Sequence, residues 1–323
     1  MINIAVIGAG HVGYHHARIF ASNPRVHLEA LVDIDAGKAD YAKQFNTRFF
    51  QNYKEILAPI HAVSIATPTS THAPIAEYFL LQNKHVFVEK AFTDDLASAN
   101  CLITIAASKK LILQVGLIEK FNPAFINFKK HLNYPKFIET HRVHPFIQRC
   151  LDVDVILDLM IHDLDLICEL FHYFPVKGKQ KFDFNDIEID AIGAPVLTSK
   201  IDIAHVCLKF PSGCICNLNA SRVSHRSMRK MRIFQPDGYY SLDFSEQSLT
   251  IARPEIIKNP DKPSIDISSI APEKMELLPV ELQAFIDCIE NYPIVEPFTS
   301  GRYAQQSLYL ALKIKNIIES KAQ

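Results

Sequence analysis

An excess charge of one sign, long apolar runs and paired cysteines are all missing from this sequence. Its 34 basic and 35 acidic residues leave a formal net charge of −1. No global field then draws the chain to nucleic acid or an anionic membrane. Its apolar runs all stop short of the ~18 residues a membrane span needs. The opening MINIAVIGAG reads as a strand and a turn, without the basic, apolar and cleavage regions of a secretory leader. A cytoplasmic protein is expected. The seven cysteines are scattered, with only Cys214 and Cys216 close together. No second pair or nearby histidine completes a zinc pattern. All seven are expected to be small buried thiols, and no metal is expected. Glycine is scarce as well, yet three of the 10 are Gly8, Gly10 and Gly13.

With 48% apolar and 21% charged residues, the chain has the composition of a globular protein that can bury a real core. Its 323 residues exceed the ~250 at which single cores stop growing, so two domains are expected. Residues 3–7, 28–32, 62–66, 85–88 and 111–115 are near-continuous Val, Ile and Leu runs, as in strands buried on both faces of a parallel sheet. Segments 16–22 and 74–82 have helical spacing. This alternation predicts a doubly wound α/β sheet over residues 1–121.

From residue 122 to 323 the rhythm changes. A helix is expected over 124–131, a strand near 137–143 and a long amphipathic helix over 153–171. Strand-like runs follow at 204–210, 214–221, 231–234 and 239–244, separated by Pro/Gly/Asp turns. They predict an α+β domain on an open, mostly antiparallel sheet. Residues 253–279 are studded with proline and expected to be irregular, and helices over 280–291 and 301–320 close the chain.

Gly8-Ala9-Gly10-His11-Val12-Gly13 follows a strand and opens a helix, the context a dinucleotide fingerprint requires. The glycines allow the tight turn, the approach of a pyrophosphate and close helix–strand packing, and the helix N-terminus holds the phosphates. Asp33 ends the second strand, where a carboxylate can bind the adenosine ribose hydroxyls and would repel a 2′-phosphate. Ile34 and Asp35 supply no compensating positive charge, so NAD is expected rather than NADP. Thr67-Pro68, Glu89-Lys90 and Gly116 also fall at strand carboxyl ends, the edge where open α/β sheets bind ligands.

Oxidising an alcohol requires a base for the hydroxyl proton and a group that stabilises the developing alkoxide. Lys90 suits the second task. For the first, Asp158, His162 and Asp165 are spaced to share one helix face, and a carboxylate one turn away can fix the imidazole tautomer. A satisfied helix histidine and a metal triad are the competing readings. Lys120, Asn122 and Arg149 are further candidates for substrate contact. The stretch containing Arg222, His225, Arg226, Arg229, Lys230 and Arg232 suits a sugar-nucleotide diphosphate, or else forms a solvated strand face or a dimer rim.

These segments resemble the glucose–fructose oxidoreductase / inositol dehydrogenase (Gfo/Idh/MocA) family. The matching stretches are VIGAGHVG (6–13), VDID (32–35), ATPTSTH (66–72), HVFVEKA (85–91) and DLMIHDLD (158–165). The family usually carries proline where this chain has Ala91. The resemblance implies a catalytic lysine at Lys90 and an Asp–His pair at Asp158 and His162. It also implies that Thr67, Pro68 and His72 lie near the cofactor, and that a homo-oligomer, dimer or tetramer, forms. Residues 115–125 and 154–166 most resemble members that oxidise the 3-hydroxyl of UDP-N-acetylglucosamine ahead of 3-amination for lipid A. An inositol or free-sugar dehydrogenase, an NAD-retaining glycoside hydrolase and a non-catalytic dinucleotide sensor remain alternatives.

Overall fold

Apolar β-branched runs generate the first sheet. In the computed structural model, which describes residues 1–148, 150–172, 183–255, 264–292 and 297–321, six strands run parallel. They are β1 (Ile2–Ile7), β2 (Val26–Val32), β3 (Arg48–Phe50), β4 (Ala62–Ile65), β5 (His85–Glu89) and β6 (Leu113–Gly116), in the order β3-β2-β1-β4-β5-β6. Helices α1 (His11–Ser22), α2 (Ala39–Gln44), α3 (His72–Leu81) and α4 (Leu96–Ser108) make the crossovers. Strands β1 and β4, at the centre, are buried almost throughout, which explains their unbroken hydrophobicity.

The chain divides into two compact units, residues 1–117 with 276–308 and residues 118–275 with 309–323. A single change of unit after Phe121 was expected. Instead α7 (Leu277–Glu290) returns to the first unit. Its Leu282, Phe285, Ile286 and Cys288 share one apolar cluster with Ile2, Ile4, Val6 and Phe20. Arg25 pairs with Asp287 at 2.6 Å and Glu290 at 2.7 Å alongside it. The first core is therefore completed by side chains far away in sequence.

The second unit is an eight-stranded sheet. Its strands are β7 (Phe137–Val143), β8 (Glu188–Ala194), β9 (Ile203–Lys209), β10 (Ile215–Ser221), β11 (Met228–Gln235), β12 (Gly238–Asp243), β13 (Ser248–Pro254) and β14 (Ile265–Ile270). The order is β14-β13-β12-β11-β7-β10-β9-β8, and only β7 and β10 pair in parallel. The chain enters this unit through α5 (Pro123–Lys129), begun by Asn122, whose side chain accepts the Ala124 N–H at 3.0 Å. A π-helical turn over residues 156–160 leads into α6 (Ile161–His172), and α8 (Gly301–Lys321) ends the described chain.

Two expectations need correcting. The proline-studded segment carries a strand: β14 pairs with β13 although nearly all of it is exposed, so it has no apolar face to signal it. Cys101 and Cys150 are exposed and Cys207 is half-buried, leaving Cys168, Cys214, Cys216 and Cys288 as the buried thiols. Cys101 lies on the outer side of α4 and Cys150 in a loop, where no core reaches them.

Candidate functional site

In the first unit, the polar residues gather at the carboxyl edge of the parallel sheet. Gly8 follows β1 with φ at +95°, and a Cβ there would lie 2.6 Å from the Ala66 carbonyl oxygen. A Cβ on Gly13 would sit 1.8 Å from the Gly8 carbonyl oxygen, so only glycine lets α1 pack on the turn. Gly10 is different: a Cβ there would meet nothing within 4 Å. The space that a side chain would fill is open beside the start of α1. That helix has no side-chain N-cap and no acid in its first turn. Its positive end is thus left for an anion. His11 and Val12 are exposed at this mouth.

Asp33 ends β2 and shapes the same turn. Its Oδ2 accepts the Ala9 N–H at 2.7 Å and its Oδ1 the Asp35 N–H at 2.9 Å. A carboxylate has about four acceptor positions, so capacity remains for ribose hydroxyls. Beside it Ile34 is 88% exposed and brings no cation. The open Gly10 mouth, the uncapped helix and the Asp33 carboxylate fit NAD.

Two loops continue the edge. Pro68 is exposed and Thr67 half-buried after β4, and Lys90 follows β5 half-buried. His72 was expected beside the cofactor. It is fully buried and braces these loops instead: Nε2 lies 2.8 Å from the Thr67 carbonyl oxygen and Nδ1 2.8 Å from that of Ala91. Burial pulls its pKa below the usual histidine value, against the pull of the two carbonyls. Ala91 replaces the family proline with its carbonyl held and its side chain buried, and the Lys90–Ala91 peptide is cis. The Glu89 carboxylate is engaged by His16, a buried residue of α1 that sequence reasoning passed over. A histidine on the inward side of the glycine helix was its only signal.

In the second unit the candidate base lies on a helix enclosed on nearly every side. From residue 153 to 171 every residue is buried except His162, which is partly exposed. The expected amphipathic helix is therefore a core helix with one polar opening. Asp154 starts it, accepting the Ile156 and Leu157 N–H groups at 2.9 and 3.0 Å. The π-helical turn that follows contains Asp158, itself buried, one turn before His162. Such turns are frequent at functional sites because they re-aim side chains along an otherwise regular helix.

The other acids near His162 are committed to buried cations. Asp163 pairs with Arg142 at 2.9 Å, and Arg142 reaches Glu119 at 2.7 Å. Burial opposes the Arg142 charge, but the two carboxylates outweigh it and raise its pKa. Asp165 pairs with Lys120 at 3.1 Å and so does not share the opening used by His162. Burial would likewise strip the Lys120 proton, but Asp165 and Glu169 outweigh it.

This arrangement corrects the expected substrate contacts. Lys120 is 1% exposed, its ammonium consumed by Asp165 and Glu169. Asn122 is fully buried, donating to Glu119 and to the Phe244 carbonyl. Arg222 is 1% exposed; it pairs with Asp202 at 3.1 Å and donates to the carbonyls of Cys150, Val153 and Ile201. All three are buried polar groups made tolerable by partners within the protein. Of the rest of that basic stretch, Lys230 pairs with Asp243 and Arg232 with Glu139 on the sheet. Arg149 lies outside the described residues. Among the described residues no cluster of three or more His, Cys, Asp or Glu could hold a metal ion.

A parallel sheet ordered in this way, with a glycine turn opening a helix and an acid closing the second strand, defines a dinucleotide-binding domain. Residues 2–117 match the oxidoreductase family with an NAD-binding Rossmann fold, GFO_IDH_MocA. The chain is also 34% identical over 321 residues to UDP-N-acetylglucosamine 3-dehydrogenase of Acidithiobacillus ferrooxidans, covering 98% of this chain and 97% of that one. It belongs to this family and is an NAD-dependent dehydrogenase. The solved structure of the Acidithiobacillus enzyme superposes with a TM-score of 0.88 at 33% identity, covering 100% and 99% of the two chains. A scyllo-inositol 2-dehydrogenase (NAD(+)) of Bacillus subtilis is 27% identical over 241 residues, 69% of this chain and 68% of that one.

Proposed function

We propose that this enzyme oxidises the 3-hydroxyl of UDP-N-acetylglucosamine to a ketone. The observation that carries this reading is the end-to-end similarity to the Acidithiobacillus 3-dehydrogenase, which extends through both units. The two polar groups this chemistry needs have candidates. His162, the one position between residues 153 and 171 that is not buried, takes the hydroxyl proton, and Asp158 one turn away orients its ring. Lys90 holds the oxygen as it gains alkoxide character. NAD, when bound, accepts the hydride from the sugar carbon. Gly8, Gly10, His11, Val12 and Gly13 would hold its phosphates, Asp33 and Ile34 its adenosine ribose, and Thr67, Pro68 and Lys90 the rest. Glu89 and His72 act as braces behind these loops.

The same reading makes the product a 3-ketosugar nucleotide for later amination towards lipid A, in a cytoplasmic homo-oligomer. The test is direct. The purified chain is incubated with NAD and, separately, UDP-N-acetylglucosamine, UDP-glucose and myo-inositol, while NADH absorbance is followed. NADH formation with UDP-N-acetylglucosamine, and a mass spectrum of the dehydrogenated nucleotide, are expected. Turnover of myo-inositol alone would move the substrate to the polyols. Release of free sugar without net NADH would make the enzyme a glycoside hydrolase.

A further inference from the structure

The backbone of Lys90 is set from behind by a chain of polar groups. Glu89 Oε2 accepts the Lys90 N–H at 3.2 Å, while Oε1 lies 3.1 Å from Nε2 of His16. A carboxylate only accepts, so Nε2 carries the ring proton. Nδ1 of His16 lies 2.7 Å from the Ser64 hydroxyl, which can donate to it when the ring carries the single Nε2 proton. One neutral tautomer satisfies both contacts. His16 and Ser64 are fully buried, so no solute reaches the serine and the chain can only orient groups.

The surroundings leave room for this carboxylate alone. Gly116 lies opposite Glu89 in the β5–β6 register, and a Cβ there would stand 2.9 Å from Oε2 and 3.0 Å from Oε1. His16 itself lies on α1, about one turn beyond Gly13. The helix that offers its N-terminus to the cofactor phosphates therefore also fixes the residue preceding Lys90.

We infer that His16 is a positioning residue for Lys90. It orients the Glu89 carboxylate, and that carboxylate fixes the Lys90 N–H and with it the direction from which the ammonium leaves the strand. The inference rests on the role given to Lys90 above. A merely structural pillar would affect stability and leave turnover per folded molecule unchanged.

The test compares H16A, H16Q, G116A, K90M and the H16A/K90M double variant. Each is measured for kcat and KM with NAD and UDP-N-acetylglucosamine, for NADH affinity by cofactor fluorescence, and for melting by circular dichroism. Misplacing a catalytic group by about 1 Å can cost ~100-fold, so H16A is expected to lower kcat by roughly 10- to 100-fold. NADH affinity should stay close to that of the parent. H16Q should recover much of the loss, because its amide N–H can still donate to Glu89. G116A should reproduce the kcat loss with His16 intact, and it serves alone if H16A does not fold. H16A/K90M should be no slower than K90M. Parental kcat in H16A or G116A, beside a collapsed K90M, would overturn the inference and leave the lysine assignment standing. Losses that multiply in the double variant would overturn it too. Parental kcat in K90M would overturn the lysine assignment itself.

Discussion

The cofactor edge of the first unit and the His162 helix of the second are built in opposite ways. At the edge, the backbone does the work: a left-handed Gly8, an uncapped α1 and the turn N–H groups held by Asp33. Few charges are buried there, and the space beside Gly10 is open. In the second unit, Arg142, Glu119, Asp163, Lys120, Asp165 and Glu169 are all buried around one helix, and between residues 153 and 171 the His162 imidazole is the one group not buried. A site for a large anionic cofactor needs donors and room. A site for one proton needs a side chain held still, and closed ion pairs on the remaining faces of its helix provide that.

The comparison is broken most directly by His162→Ala. Removing a general base costs about 10²- to 10⁴-fold, so kcat for the nucleotide sugar should fall by that range while NADH affinity is kept. A variant with the parental kcat would leave the opening in the helix without a role. Next in size is Arg142→Met. It leaves Asp163 and Glu119 buried without their cation, at a cost of ~3–5 kcal/mol, read from urea denaturation followed by circular dichroism. A change below about 1 kcal/mol would show that the network is not what holds the helix.

Gly13→Ala probes the other side. Overpacking costs ~1–3 kcal/mol, so NADH affinity should weaken by about 5- to 150-fold, with the second unit's chemistry untouched once cofactor saturates. Smallest is an acid limb in stability. Burial would raise the Asp202 carboxyl, but the Val196, Leu197 and Thr198 N–H groups and the Thr198 hydroxyl overcome it and hold the pKa at about 2. The folded value is depressed, so its contribution is complete above the unfolded value near ~3.9 and is lost as pH falls towards 2. Asp202→Asn should flatten this part of the melting temperature against pH, and an unchanged slope would remove Asp202 from the account.

Legibility in the sequence followed the range of the interactions. β1, β2, β4, β5 and β6 all fall close to their expected places, because burial on both faces imprints a continuous apolar run. β3 was missed: it is three residues long and only partly buried. β8, β13 and β14 were missed: β8 and β14 are sheet edges with exposed faces, and β13 runs into the proline-studded stretch. The same division runs through the candidate site. The glycine turn and Asp33 could be read because one strand–turn–helix–strand unit fixes their spacing, even though the bond from Ala9 N–H to Asp33 spans 24 residues. Lys120 and Arg222 looked like ligand contacts because nothing local announced Asp165 or Asp202 as their partners, and Asn122 because its bond to the Phe244 carbonyl spans 122 residues. His16 was passed over because its partners Ser64 and Glu89 lie on two other strands.

The sequence by itself determined the alternation of strand and helix, the anion-binding turn and the acid that closes it. These rest on the apolar periodicity of strand and helix and on the fixed spacing of one strand–turn–helix–strand unit, which the residues carry in their order along the chain. Only the tertiary structure decided which charges would be spent on one another, that α7 would complete the first core, and that His162 would be the one position between residues 153 and 171 left unburied. Those outcomes depend on side chains brought together from distant strands, where the loss of water makes pairing compulsory.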